Sequence, residues 1–370
     1  MVDNTPLPAR PKQQGIVFSQ KVKMKEFEVK IQPSEANFSV RESESVLSAA
    51  LRQGVMLPYS CKNGTCGSCK GQLVSGEVHY PFHPPMALSE EEIANGYALL
   101  CQAAPVENLL VKVREIEAVR DIPVRLMPAR VIEKTLLDSN VIRIRLRLPR
   151  AQRMQFLAGQ YVDILLPGGK RRAFSIASPP QEEDELELHI RHVEGGDFTG
   201  FVFDELKEKD ILRLEGPLGT FFVRHDESFR PIIMMGGGTG FAPLKSMIED
   251  LLALNDQRSI HLFWGARNQG ELYQESLPKQ WVNLHNHIKY TSALSDSAPA
   301  ESAFSGFVHE AVLETYPDLS SFDVYMSGPP AMIDAAKSSF LNSGLPETRL
   351  FYDSFEFGLD VPVRILAQPH

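Results

Sequence analysis

The chain has 370 residues, a length that calls for two or three domains rather than one core. Its hydrophobic content of 43% and charged content of 23% are those of a globular protein, which excludes wholesale disorder. A net charge of −9 with no basic stripe argues against a nucleic-acid partner, and no apolar run reaches the ~18 residues that cross a bilayer.

Residues 1–22 include MVDNTPLPARPKQQG, which lacks the apolar stretch of a secretory signal. They read as a flexible tail on a cytoplasmic chain. A first block, 23–116, starts with EFEVKIQ and NFSVRES, alternating segments that predict a hairpin. SESVLSAALRQG predicts a short helix, capped by Ser45 or Ser43 and stopped at Gly54. QLVSGEVHY and LLVKVREI predict further strands.

Between that helix and those strands lies CKNGTCGSCKG, and its cysteines with Cys101 give the spacing C-x4-C-x2-C-x31-C, formed by Cys61, Cys66, Cys69 and Cys101. Four thiols can make two disulfides, a zinc site or an iron–sulfur cluster. A reducing cytosol disfavours the first. Structural zinc normally takes two CxxC knuckles, and only Cys66 with Cys69 has that form; His79 and His83 stand beside prolines. The spacing matches the plant-type ligand pattern of a [2Fe–2S] cluster. Gly64, Thr65, Gly67, Ser68 and Gly71 are small enough for backbone N–H groups to approach the sulfurs.

A second block, 123–225, holds the strand-like runs VRLMPARVIEKTLL, NVIRIRLRLP, GQYVDILLP, RRAFSIASP, ELELHIRHV and DILRLEGPLG. Many strands with little helix predict a small closed barrel. In HIRHVEGGDFT, Gly195 and Gly196 precede a helical segment with Thr199, an arrangement suited to a pyrophosphate. The run Glu182–Glu185 reads as a solvated loop, and His189 and His192 as structural histidines.

The third block, 226–360, alternates strands (PIIMMGG, SIHLFWGAR, HIKYTSAL, FDVYMSGPP) with helical patterns, which predicts βαβ units and a parallel sheet. MMGGGTGFAP is not G-x-G-x-x-G, because the third position from Gly236 and Gly238 is Phe241. Donors at the start of the following helix can still meet phosphate.

The first block resembles the plant-type [2Fe–2S] ferredoxin domain. Arg172-Ala173-Phe174-Ser175 and the later Gly195, Gly196 and Thr199 resemble the flavin domain of the ferredoxin–NADP reductase superfamily, whose strand motif is Arg-x-Tyr/Phe-Ser. That resemblance implies that Arg172 pairs with an FAD pyrophosphate, Phe174 packs on the isoalloxazine and Ser175 bonds near N5. It also sets Ile190 and Arg191 on a strand touching the flavin. Phe174 stands where many members carry tyrosine, so one hydroxyl contact is absent. GGGTG-x-x-P resembles the superfamily's pyridine-nucleotide motif. Gly238, Thr239 and Gly240 would line the nicotinamide and pyrophosphate, with Gly265 and Arg267 of WGAR near the adenosine half. Ser327, Gly328 and Pro329 of SGPP would lie beside the nicotinamide, serine replacing a common cysteine. Ser175, Thr239 and Ser327 are the residues this resemblance sets at the reaction centre. FYDSFEFG either sets Asp353 or Phe355 near the flavin or is a packed last strand.

The order of motifs implies a multidomain fold: an α+β ferredoxin (β-grasp) domain, an antiparallel β-barrel for flavin and an α/β parallel sheet for nucleotide. It resembles a fused [2Fe–2S]/FAD/NAD(P)H reductase, most similar to CDP-6-deoxy-glucoseen reductases and to reductase components of oxygenases. The resemblance implies electron flow from NADH through FAD and the cluster to a protein acceptor, an oxygenase or dehydrase component. NADH is favoured over NADPH because no basic cluster accompanies Arg267. A flavin or ferric reductase and a stand-alone electron carrier are the rival functions.

Overall fold

The computed structural model describes residues 25–150, 153–182, 184–226, 229–296 and 303–355. The tail expected over 1–22, Glu183, and residues 356–360 of the third block lie outside them.

The first unit is a mixed sheet in the order Asn37–Arg41, Glu26–Gln32, Leu109–Lys112, Lys70–Ser75, Tyr97–Leu99. Alternation in EFEVKIQ turns Phe27, Val29 and Ile31 into the core while Glu26, Glu28 and Lys30 stay outside. The helix Val46–Arg52 closes that core with Val46, Leu47, Ala49 and Ala50. Of the two expected caps it uses Ser45, whose hydroxyl accepts from the Ser48 N–H. Gly54, at φ +78°, follows its last turn.

A six-stranded antiparallel sheet follows, ordered Arg171–Ser175, Tyr161–Leu165, Ile211–Leu218, Arg125–Asp138, Val141–Arg147, Glu185–Arg191. Its outer strands approach one another: Ile176 and Leu188 form an antiparallel bridge, and Ala177 N–H donates to the Glu187 carbonyl at 2.7 Å. Val131, Ile144, Val162, Leu188 and Leu214 fill the space between.

The third sheet is wholly parallel, in the order Phe304–Ser305, Ile288–Leu294, Ile260–Ala266, Ile232–Gly237, Asp323–Gly328, Leu350–Ser354. Helices cover both faces, so its strands are buried on each side and read as unbroken apolar runs such as IIMM. The order reverses at Ile232–Gly237, whose two neighbours come later in the chain on opposite sides. Crevices at such reversals, beyond the carboxyl ends of the strands, are where open α/β sheets take their ligands.

The three units are fastened together. Tyr59 N–H donates to Thr220 Oγ1 at 3.0 Å, and the Tyr161 hydroxyl donates to the Ser60 carbonyl at 2.8 Å. Ile116, Val119 and Phe222 form a small apolar cluster with Met56 and Leu157.

Candidate redox and nucleotide sites

The cysteine loop needs left-handed backbone, and Lys62 (φ +58°), Gly64 (+87°) and Gly67 (+75°) supply it. A Cβ on Gly64 would lie 2.8 Å from Gln102 Cγ, so the loop closes tightly on the turn that carries Cys101, just after the strand Tyr97–Leu99. That cysteine is brought in by the pairing of Lys70 with Leu99 and by Leu100 N–H on the Cys69 carbonyl. The thiols stand as two couples, Cys61 with Cys66 and Cys69 with Cys101. Among the described residues no three His, Cys, Asp or Glu side chains converge as a single ion requires. Two couples of soft sulfurs are the donor set for two irons, so the loop fits a [2Fe–2S] cluster better than one zinc. Cys66 N–H and Thr65 Oγ1 both reach Cys61 Sγ at 3.5 Å. The hydrogen bond from Cys66 leads in holding the Cys61 thiol down at about 5, against burial.

On the flavin side, Arg172 and Phe174 share one face of the strand Arg171–Ser175, and Ala173 and Ser175 the other. Phe174 is half-buried with its ring 5.5 Å from Phe198. Ile190 points into the sheet's interior, leaving only its backbone for a ligand. The helix Asp197–Asp204 has Gly196 as its cap, with no side chain answering the first-turn N–H groups. Gly195 (φ +73°) has open space beside it, whereas Thr199 turns inward: its hydroxyl accepts from Val193 N–H at 3.1 Å. An uncapped helix start, a glycine cradle and an arginine on the same sheet fit a pyrophosphate.

The nucleotide turn Gly238–Gly240 sits at the sheet's reversal. A Cβ on Gly240 would stand 2.0 Å from the Ser327 carbonyl oxygen, so GGGTG and SGPP touch through backbone alone. Trp264 Nε1–H donates to the Gly238 carbonyl at 3.0 Å, and its ring stacks on Phe241 at 4.0 Å. Within WGAR the tryptophan therefore holds the turn. Gly265 is small for packing, since a Cβ there would meet Val308 at 2.8 Å. Ser327 is fully buried and its hydroxyl meets no hydrogen-bond partner among the described residues, an orphaned donor on the segment whose backbone abuts the turn. Gly328 (φ +151°) and exposed Pro329 lead into the helix Pro330–Asn342. Thr239 is half-exposed at the lip of the turn.

Sequence reasoning missed Glu271, Glu187 and Lys245 among the residues that join these pieces, and had Asp353 only as one of two candidates near the flavin or part of a packed last strand. Glu271 binds Arg267 (Nε to Oε1, 2.9 Å) and lies 3.7 Å from Arg191, which itself borders Gly238. Asp353 is 5% exposed, accepts from Ser60 and also engages Ser175. Burial pushes its carboxyl up to about 6 although those hydroxyls pull it down. A buried set links the two larger sheets: Lys245 reaches Glu249 (2.8 Å), Glu187 (3.3 Å) and the Ala177 carbonyl (3.1 Å). Burial pushes His189 down, so the neutral ring donates from Nε2 to Glu187 (2.9 Å) and accepts at Nδ1 from Tyr273 (3.0 Å). No local motif announces Glu271, Glu187 or Lys245, and Ser60 had only its place beside Cys61 as a clue.

Three family profiles match in the same order as the three units. They are a 2Fe-2S iron-sulfur cluster binding domain over 29–106, an oxidoreductase FAD-binding domain over 128–223 and an oxidoreductase NAD-binding domain over 234–338. The chain is 40% identical to the CDP-6-deoxy-L-threo-D-glycero-4-hexulose-3-dehydrase reductase of Yersinia pestis, over 88% of this chain and 98% of that one. It is 39% identical to the phenol 2-monooxygenase reductase component DmpP of Pseudomonas sp. strain CF600, over 90% and 96%. The crystal structure of Amycolatopsis cytochrome P450 reductase GcoB superposes with a TM-score of 0.72 at 34% identity, over 89% of this chain and 98% of that one. No helix among the described residues is long and apolar enough to cross a membrane. With the loop, the flavin strand and the glycine turn in this geometry, the chain belongs to the family of oxidoreductases that carry a 2Fe-2S, an FAD-binding and an NAD-binding domain on one polypeptide.

Proposed function

We propose that this protein is the reductase of a two-component system, drawing electrons from NADH and delivering them singly to an oxygenase or dehydrase protein. The observation that carries this reading is the junction at which the cluster loop meets both the flavin strand and the nucleotide sheet, through Tyr161, Ser175 and Asp353. NADH yields a hydride, two electrons with a proton; bound FAD supplies the conversion to single electrons and the [2Fe–2S] group their exit, leaving NAD⁺ and one proton.

The residues' own work is to hold and orient. Cys61, Cys66, Cys69 and Cys101 would hold the cluster, with Thr65 and the Cys66 N–H supporting a sulfur. Arg172, Gly195, Gly196 and the helix start would hold the FAD pyrophosphate, and Arg191 its edge. Phe174 and Ser175 would face the ring system, Ile190 through its backbone. Gly238, Thr239 and Gly240 would seat the nicotinamide half opposite Ser327, Gly328 and Pro329. Gly265 and Arg267 would stand by the adenosine half. The same reading takes 23–116 as a β-grasp ferredoxin domain, 123–225 as a closed barrel and 226–360 as the nucleotide domain. Relatives named for a dehydrase and for a phenol monooxygenase support the acceptor class. A cytoplasmic setting suits a cluster of this kind.

Anaerobic NADH should bleach both flavin and cluster absorbance. Cys66→Ser should lower transfer to the protein acceptor by ~100-fold while NADH oxidation by ferricyanide persists. An unchanged acceptor rate in that variant would instead make this a flavin or ferric reductase.

The choice of NADH rests on Glu271. It occupies Arg267, and the residues that follow, Asn268, Gln269 and Gly270, add no basic side chain for a 2′-phosphate. Glu271→Gln should raise the NADPH/NADH ratio of kcat/KM by about three- to five-fold, the modest size expected of a solvent-screened pair. Wild-type preference for NADPH in the same assay sinks the assignment.

A further inference from the structure

Asp353 lies on the last strand of the parallel sheet, Leu350–Ser354, beside Ser327 in register. Its carboxyl crosses to Ser60, the residue before Cys61, in the loop of a different unit and 293 positions earlier. The same carboxyl engages Ser175 at the end of the flavin strand. Among the described residues no ion pair involves Asp353, so its role is not charge neutralisation. Two hydroxyls from two units converge instead on one buried carboxyl of the third. The neighbouring Tyr352 meets the loop at a second point, its hydroxyl 3.7 Å from where a Cβ on Gly67 would lie. The Tyr161 hydroxyl takes the Ser60 carbonyl from the flavin sheet at 2.8 Å. Ser60 is thus held from both sides, and its neighbour Cys61 cannot shift without breaking one of these bonds.

We propose that Asp353 is a positioning residue that latches the cluster loop to the flavin strand through Ser60, and so sets the rate of electron passage between the two cofactor sites. The inference rests on the function proposed above. Each passage carries one electron, and two clear the pair brought by one hydride. The latch touches neither the glycine turn that would seat the nucleotide nor the exposed segment around Phe82 and Met86 beside the loop. Its Ser60 arm therefore acts between the cofactor sites, while its Ser175 arm borders the flavin site, so Ser60 is the position that separates electron passage from hydride delivery.

The test uses the intact holoenzyme in anaerobic stopped flow with NADH, following flavin and cluster bleaching separately. Ser60→Ala and Asp353→Ala should slow the cluster phase by about ten-fold, short of the ~100-fold that a full 1 Å misplacement can cost. The flavin phase of Ser60→Ala should stay within about two-fold of the parent, since that hydroxyl is remote from the nucleotide. Asp353→Asn keeps an acceptor and a donor in the same place and should recover most of the cluster rate. Amide exchange gives a second readout that needs no turnover: Tyr59 N–H, bound across the junction to Thr220, should exchange faster in Ser60→Ala and Asp353→Ala. A cluster phase unchanged in both alanine variants, or a flavin phase that falls in step with it in Ser60→Ala, overturns the latch. Failure of the wild-type protein to bleach at all would overturn the proposed function, a separate outcome.

Discussion

Alanine at Gly240 should raise KM for NADH by about 10- to 100-fold, the kinetic equivalent of the ~1–3 kcal/mol that overpacking costs. Its Cβ would fall 2.0 Å from the Ser327 oxygen, 2.5 Å from its carbonyl carbon and 2.9 Å from Gly328 N. All three are backbone atoms of a fully buried strand end, with no flexible side chain to yield. Relief requires the turn Gly238–Gly240 to part from Ser327–Pro329, the two segments proposed to seat the nicotinamide. Trp264 resists that movement through its bond to the Gly238 carbonyl, so the strain stays local. Gly200→Ala is the matched control. It lies within the helix Asp197–Asp204 with nothing within 4 Å of its Cβ, and should gain up to ~1 kcal/mol from helix propensity. Steady-state kinetics and thermal melts of both variants decide it. A Gly240→Ala protein with a normal KM would mean that contact between the two segments does not seat the nucleotide.

Lys245→Met should cost about 3–5 kcal/mol, because it strips the cation from a buried set and leaves carboxylates unbalanced. Lys245 is 7% exposed and answers both Glu187 and Glu249. Burial alone would raise Glu187, but the His189 bond and the Lys245 and Arg143 charges overcome it and hold the carboxyl at about 2. Glu187 therefore stabilises the fold fully above the unfolded-state value near 4.5, and this support is lost as pH falls through about 2. Glu187→Gln should cost less, since an amide still accepts from His189 and Lys245 keeps Glu249. The measurement is a melt followed by flavin release, with a double-variant cycle expected to show ~0.5–3 kcal/mol of coupling. Lys245→Met melting within a degree of the parent would show the set to be dispensable.

These two sites differ in how far the sequence exposed them. GGGTG and SGPP were legible through their resemblance to a superfamily motif, and the structure supplies the reason for the glycine, a backbone that must approach another backbone. The contact between them was not legible, since it joins residues that only the sheet's strand order makes neighbours. In ELELHIR the two-residue period sets Glu187, His189 and Arg191 on one face, and such a polar face normally meets water. Here the helix Phe241–Ala253 and Tyr273 cover it, and alternation carries no information about what lies above a strand. The cysteines were legible from spacing alone. Their division into couples came from the fold, through Gly64 and the pairing of Lys70 with Leu99. Arg267 was singled out as a lone basic residue. Its tie to Glu271, four residues on, was readable at that spacing, but its link through Glu271 towards Arg191 was not.

The contact between Ser60 and Asp353 also orders events during synthesis. The two residues are 293 positions apart, so at about 5–20 residues per second the carboxyl follows the loop from the ribosome by roughly 15–60 s. Over that interval the first sheet, which has its own core of Val29, Ile31, Leu47, Leu57 and Val111, can close without its later cover. Thr220 arrives 161 positions after its partner Tyr59, and Asp353 only at the end of the gap. The cysteine loop is thus completed early and capped late, which gives iron delivery a window while the rest of the chain is still being made.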